Sequence, residues 1–465
     1  MSGFLKKFLT GVLIAVLACA FCACGGSDNS GDSVNPDAPL SGSITVWWPG
    51  ADAQFEAAKQ AKKAYEQEHE GVTINLTPQP ADNFYTSYAM VVGKKNEPDL
   101  LLLDSVYIQV LAYYFGDPAL ADLSSIAPEL LSEVKDTLYS SLYNTGYYGG
   151  DVYALPYAAN TFGLAYNRVL MKNVLDTNGI QYTDIDACVP TKLGSEQEEY
   201  SMLWWCKQVN DYNRTTGKQI GAWTIPSGNE YASVASMQYV SMLARLGGSV
   251  MNDDFSKVTI CNDEYPADKA ANAELETIVK QLGATGVVSS TFEEAKFEEG
   301  KVLFIEEGCW KIAKYDQLGK DPTVESIFNA GWADLITLKD GYEAKSCAGL
   351  YSLAMSRRSK NKALALDFMK YLIKDQASML AYAEGSYQMP ALKAAFAGSD
   401  YYNSESWQMF GASLEKAVVR PGTGIWSQTQ KELSGLMTAW LKNGEAKTLD
   451  KIQTTLAKDL KELYS

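Results

Sequence analysis

The apolar residues between positions 44 and 103 change period twice, and this pattern restricts the possible folds more than any other feature of the chain. Ile44-Thr45-Val46 runs directly into Trp47-Trp48-Pro49-Gly50. Phe55, Ala58, Ala61 and Tyr65 then fall on one helical stripe, with Asp52 as its expected N-cap. Val72, Ile74 and Leu76 alternate with polar residues, which is the period of a strand. Strand, helix and strand at this spacing form a βαβ unit, so the predicted fold is α/β with a parallel sheet. Pro98-Asp99 next leads into Leu100-Leu101-Leu102-Leu103, as expected for a strand covered on both faces. In open α/β sheets ligands collect beyond the carboxyl ends of the strands. Trp47 and Trp48 from the first strand, and Asp104, Ser105 and Tyr107 after the leucines, therefore point at one site.

The N-terminus carries a different message. Lys6-Lys7, an apolar run over 8–23 and Cys24-Gly25-Gly26-Ser27 have the form of a secretory signal. The apolar run is short for a spanning helix, which needs about 20 apolar residues. The cysteine at its boundary makes the segment resemble a bacterial lipoprotein signal, in which that cysteine carries the lipid. Cys24, preceded by Phe21-Cys22-Ala23, and Cys19, preceded by Val16-Leu17-Ala18, both fit. Cys24 is favoured, because a cut at Cys19 leaves Ala20-Phe21 on an otherwise polar tether. The expected organisation is a signal peptide over 1–23, lipidation at Cys24 and a disordered tether over 24–40. Such a tether reaches roughly 20–25 Å.

The 425 residues from position 41 suffice for two domains, and 46% hydrophobic content fills their cores. A net charge of −16 argues against nucleic acid, whose binding needs a basic footprint. The 28 Tyr and 10 Trp against 15 Phe suit a surface that both stacks and hydrogen-bonds, although Tyr is also common on exported proteins. Cys188, Cys206, Cys261, Cys309 and Cys347 have neither zinc nor redox spacing. His69 is the only histidine, which excludes histidine triads and multi-histidine metal sites. No phosphate-binding loop occurs. A glycosidase needs only two carboxylates, and among 56 acidic residues that chemistry stays open.

Trp47-Trp48 after a first strand, Glu97-Pro98-Asp99 before a buried one, and Leu155 through Asn167 resemble the extracellular solute-binding proteins of carbohydrate ABC importers, the group that includes maltodextrin-binding protein. Downstream, the strand-and-helix pattern of 297–310 ending in Gly308-Cys309-Trp310, the unit at 348–373 and the Pro-containing return at 385–390 follow in order. The resemblance implies a two-lobed periplasmic-binding-protein-like fold, with the ligand in a cleft between lobes joined by crossing segments. The first lobe would take 41–155 and 343–380, the second 158–337 and 385–465. It implies a monomer on the extracytoplasmic face of the cell membrane, delivering a sugar or oligosaccharide to ABC permease subunits, with no cofactor and no catalytic residue.

A neutral sugar offers ring faces that aromatic side chains cover and hydroxyls that are costly to desolvate unpaired. Candidates in the first lobe are Trp47, Trp48, Asp104, Tyr107 and Tyr85, with one of the two tryptophans expected to pack in the core instead. In the second lobe Asn160 falls where the family presents a polar ligand-binding side chain, and Trp310 is the leading candidate. Glu307 follows, with strand-end solvation of Glu306-Glu307 as the alternative. Trp223 and Trp426 lie in Gly-containing loops, and Tyr351 and Tyr387 lie near the crossings. Trp204-Trp205 reads as core. Relative to maltodextrin-binding protein, Leu103 stands where that protein has a stacking Trp and Asn160 replaces a carboxylate, which argues against maltodextrin as the ligand. Two rival readings are a lipid-anchored carbohydrate-active enzyme and a receptor of the same fold for a solute such as a polyol phosphate. The latter needs a basic cleft, and Arg420 is the one basic residue near a candidate.

Overall fold

The computed structural model describes residues 34, 40–50, 53–80, 84–113, 117–289, 291–442, 444 and 447–463. The expected signal peptide, Cys19, Cys24 and the Asp52 cap lie outside these residues. Residues from Val34 onward form one compact unit.

β1 (Gly42–Pro49) and β2 (Val72–Gln79) pair in parallel, and so do β1 and β3 (Leu100–Asp104). The helix Ala53–Glu68 joins the first two and buries Ala57, Ala58, Ala61 and Tyr65, while Phe55 is only half-buried. A small hairpin follows, β4 (Tyr147–Tyr148) with β5 (Asp151–Val152). Then come β6 (Ala154–Asn160), β7 (Phe162–Asn167), β8 (Gly221–Thr224), β9 (Val288–Ser289), β10 (Val302–Gly308) and β11 (Ala330–Ala333). The last strands are β12 (Cys347–Met355), β13 (Met389–Pro390) and β14 (Val418–Val419).

These strands build two sheets. The first runs β13-β6-β12-β3-β1-β2, with β14 against β12, and the second runs β11-β7-β10-β8-β9. Leu100 to Leu103 are fully buried because β3 is interior, held by β1 on one side and antiparallel β12 on the other. β6 belongs to the first sheet and β7 to the second, with only Thr161 between them, so the chain changes sheets within one residue. It returns between Ala333 and Cys347. The second core contains a buried ion pair: Arg245 donates to both oxygens of Glu306, at 3.1 and 3.0 Å, and to the carbonyl of Ile336 at 3.1 Å.

Two boundary expectations differ from the structure. The stretch 385–465 is divided, because Met389 and Pro390 pair with Ala159 and Ala158 of β6, and Leu392, Phe396, Trp407 and Phe410 pack in the core of the first sheet. Ile425 and the helix Trp426–Leu441 belong to the second core. The tether also differs, since Val34 and Leu40 are half-buried against the first core, over Ile126, Leu130 and Leu366. Among the described residues no helix is long and apolar enough to cross a membrane.

Candidate functional site

Three of the aromatic candidates are core residues. Trp223 is 0% exposed within β8, and Trp48 and Trp426 are each 1% exposed. Trp47 is buried too, edge-on to Phe84 at 6.0 Å and to Tyr88 at 6.2 Å. Side chains alternate across a strand, so Trp47 and Trp48 fill opposite faces of the first sheet. Trp48 packs edge-on against Tyr157 and Tyr382. Trp426 begins a helix that docks onto the second core, which is why a loop-like sequence buries its ring.

The other candidates gather where the two sheets join. Tyr85 and Tyr107 stack with centroids 4.6 Å apart and planes 9° from parallel. Tyr107 touches both the cluster under β1 and β3 and the second core, which also supports Trp310. Trp310 is half-buried, edge-on to Phe162 at 5.4 Å. Its ring lies on Gly308, where an added Cβ would be 2.0 Å from it. The backbone N–H of Cys309 donates to the carbonyl of Thr161 at 3.2 Å, and its thiol lies 3.6 Å from the carbonyl of Tyr387. Tyr387 is 47% exposed and has φ of 53°, an uncommon conformation for a bulky residue.

Asn160 ends β6 opposite Gly349, whose missing side chain makes room for it; a Cβ there would be 2.5 Å from Oδ1. The Asn160 amide is half-buried and makes no hydrogen bond to another described residue. Met389 pairs with Ala159, which brings Gln388 beside it, and the Oε1 of Gln388 is buried without a partner. Tyr351 is half-buried at an irregularity of β12, in register with Asp104.

Asp104 and Glu307 differ from the simple hydroxyl acceptors the sequence suggests. Arg420 Nη2 donates to both oxygens of Asp104, at 2.6 and 2.8 Å, and Asp104 also caps the turn at Val106. Burial disfavours the Arg420 charge, but Asp104 outweighs it and raises the guanidinium pKa. Glu307 is 2% exposed, not a solvated strand end. Burial pushes its carboxyl up to about 8, against the Gly308 N–H that donates to Oε1 at 2.9 Å, and Oε2 has no partner.

A crevice of about 510 Å³ opens beside this group. It runs from Ser105, Gln109 and Arg420 to Tyr147, Tyr148 and Asp254, across the β4–β5 turn and the loop 253–256. Its volume suits a small-molecule ligand. The sequence reading missed Tyr147, Tyr148, Gln109 and Asp254; a tyrosine pair before the Gly149-Gly150 turn is the one local signal that could have marked this wall. His69 lies elsewhere, stacked on Tyr65 at 4.0 Å. Among the described residues no cluster could hold a metal ion, and the five described cysteines are free.

Two α/β layers around separate cores, joined by short crossings and lined at the junction by half-buried aromatic and amide groups, define a two-lobed ligand-binding protein. Residues 60–411 match the family described as bacterial extracellular solute-binding protein, and the chain belongs to that family. A galactooligosaccharide-binding protein of Bacillus subtilis (strain 168) is 23% identical over 403 residues, covering 84% of this chain and 81% of the relative. The fold is shared with the cyclic alpha-maltosyl-1,6-maltose binding protein from Arthrobacter globiformis, at TM-score 0.70 and 17% identity over 91% of this chain and 99% of that one. It is shared as well with the sugar-binding protein MalE of Xanthomonas citri, at TM-score 0.69 and 14% identity over 91% and 97%.

Proposed function

We propose that this protein captures a sugar or oligosaccharide between its lobes and delivers it to the permease subunits of an ABC importer. The observation that carries the reading is a half-buried Trp310 and a half-buried Asn160, whose side-chain amide bonds to no other described residue, on segments that meet at the junction of the two sheets, where Cys309 N–H donates to the carbonyl of Thr161. One offers a flat apolar face and the other hydrogen-bonding groups, which together match a sugar ring and its hydroxyls. Tyr85, Tyr107, Tyr351 and Tyr387 would extend the surface. The sugar-binding names of the similar proteins support the same chemistry. A lipid on Cys24 would keep the receptor at the membrane.

A neutral ligand is favoured over an anionic one because Arg420 is already neutralised by Asp104. Thermal-shift measurement against a panel of mono- and oligosaccharides tests the reading. A sugar is expected to raise the melting temperature, by about 2.7 kcal/mol of added stability at a hundredfold excess over Kd. No response to any sugar, with a response to a phosphorylated polyol, would overturn it, and release of cleavage products would replace the receptor with an enzyme.

A further inference from the structure

Two basic runs stand out in a chain of net charge −16: Lys94-Lys95, and Arg357-Arg358-Ser359-Lys360-Asn361-Lys362. The fold brings them together. β3 and β12 are antiparallel with Leu100 opposite Met355, so the residues before β3 meet those after β12, and Ser356 donates to Glu97 at 2.6 Å. Lys94, Lys95, Arg358 and Lys360 line one cleft of about 380 Å³. Lys94, Lys95 and Lys360 are exposed, and none forms an ion pair with another described residue.

The acids nearby are already engaged. Glu97 accepts from the Tyr88 hydroxyl at 3.1 Å, from Gly93 N–H at 2.6 Å and from Ser356. Asp99 accepts from Thr45 N–H at 2.8 Å and from the Ser359 hydroxyl at 2.6 Å. Asp117 pairs with Arg357 and Arg358. Glu97 and Asp99 keep their charge within the cleft, and the three exposed lysines, Lys94, Lys95 and Lys360, are the cations there that no described carboxylate pairs. The chain passes this cleft as it leads into β1, since Asn361 donates to the carbonyl of Ser41 at 2.8 Å and Ser43 lines the cleft, whereas Val34 and Leu40 before it pack over Ile126, Leu130 and Leu366.

We propose that this cationic face docks on the anionic lipid surface to which the N-terminal segment leads. The inference takes its setting from the membrane-tethered reading but goes beyond it. Salt screens charges beyond roughly 10 Å at 0.1 M, so acidic residues on the far side of the molecule do not cancel a local patch. Each lysine near an anionic leaflet adds attraction that falls off over the same distance. The patch lies at the opposite end of β3 from Asp104 and Tyr107, so a docked receptor holds its candidate site away from the lipid, open to solute.

The test uses the chain from residue 34, the compact unit that contains every described core, so that neither a signal nor a lipid contributes. Its co-sedimentation with vesicles of phosphatidylcholine alone is compared with that of equal phosphatidylcholine and phosphatidylglycerol. Binding is expected only with phosphatidylglycerol, at about 20 mM salt, and is expected to be lost at about 300 mM. The triple variant K94E/K95E/K360E should bind at least about tenfold more weakly with an unchanged melting temperature and an unchanged response to sugar. K320E/K431E/K451E, the same charge change at exposed lysines outside that cleft, should bind as the parent does. Equal binding to both vesicles, no binding at low salt, or equal losses in the two triples would overturn the proposal. So would displacement by inorganic phosphate beyond chloride at matched ionic strength, which indicates a discrete anion pocket, or equal binding to soluble polyglutamate, which indicates an acidic protein partner. Failure of the sugar panel leaves these outcomes unaffected, so the two readings fail separately.

Discussion

Asn160 and Glu307 both carry polar atoms without partners, and burial gives them opposite consequences. Asn160 is half-buried, and truncating it removes no side-chain hydrogen bond to another described residue. Asn160→Ala is therefore expected to keep stability within about 0.5 kcal/mol and to weaken sugar binding by about tenfold. Trp310→Ala should weaken binding by roughly ten- to a hundredfold, whereas Trp426→Ala should cost about 3–5 kcal/mol of stability because its ring is core. Calorimetric titration beside thermal melts separates the two tryptophans, and unchanged affinity in the Trp310 variant would remove it from the site. Glu307 acts on stability through its proton. Burial raises its carboxyl from 4.5 to about 8, so within that window the folded state holds a proton that the unfolded chain has released. Stability then falls as pH rises from 4.5 to about 8 and levels above it, by at most about 1.4 kcal/mol per pH unit. Glu307→Gln keeps the neutral form permanently. Its melting temperature should gain on the parent's between about pH 5 and 8, and parallel profiles would refute the account.

At the scale of elements, the Arg245–Glu306 pair ties the helix Ala232–Ala244 to β10 with both side chains fully buried. Removing one partner strands the other charge, so Arg245→Ala should cost roughly 3–5 kcal/mol, while Arg245→Met combined with Glu306→Leu should be close to neutral. Denaturant melts of the two variants decide it, and equal losses would show that the pair contributes through packing alone. The sequence made some elements plain and hid others for physical reasons. Four consecutive leucines after Pro98-Asp99 suit a strand covered on both faces, and β1, its helix and β2 follow from period alone. β13 and β14 have two residues each, too few to show a period, so the division of the C-terminal region depended on pairing that no local pattern records. The same limit applies to the site. Trp310 was a candidate because it follows a buried strand and a glycine, and Asn160 because of the family resemblance, but Arg420 lies 316 positions from Asp104 and engages it only in the folded chain. Trp223 and Trp426 sat in loop-like sequence, and what buries them arrives from distant segments.

At the scale of the molecule, function depends on how few segments join the two sheets. Thr161 alone separates β6 from β7, the return runs from Ala333 to Cys347, and the third passage follows β14 into the helix Trp426–Leu441. Such joints let two rigid cores rotate with little internal rearrangement. A ligand shifts that equilibrium only to the extent that it binds the closed state better, which requires contacts from both sides of the junction. On the proposed reading Tyr85 and Tyr107 would supply one side and Trp310 the other. Small-angle scattering of the chain from residue 34 should therefore show a radius of gyration that falls on adding an active sugar, saturating at the concentration that saturates the thermal shift. Trp310→Ala should move both titrations to higher sugar by the same factor, since removing a contact made only on closure weakens binding and closure together. A radius unchanged at saturating sugar would mean that the lobes do not move on binding, and the ligand would then be held by a pre-closed cleft.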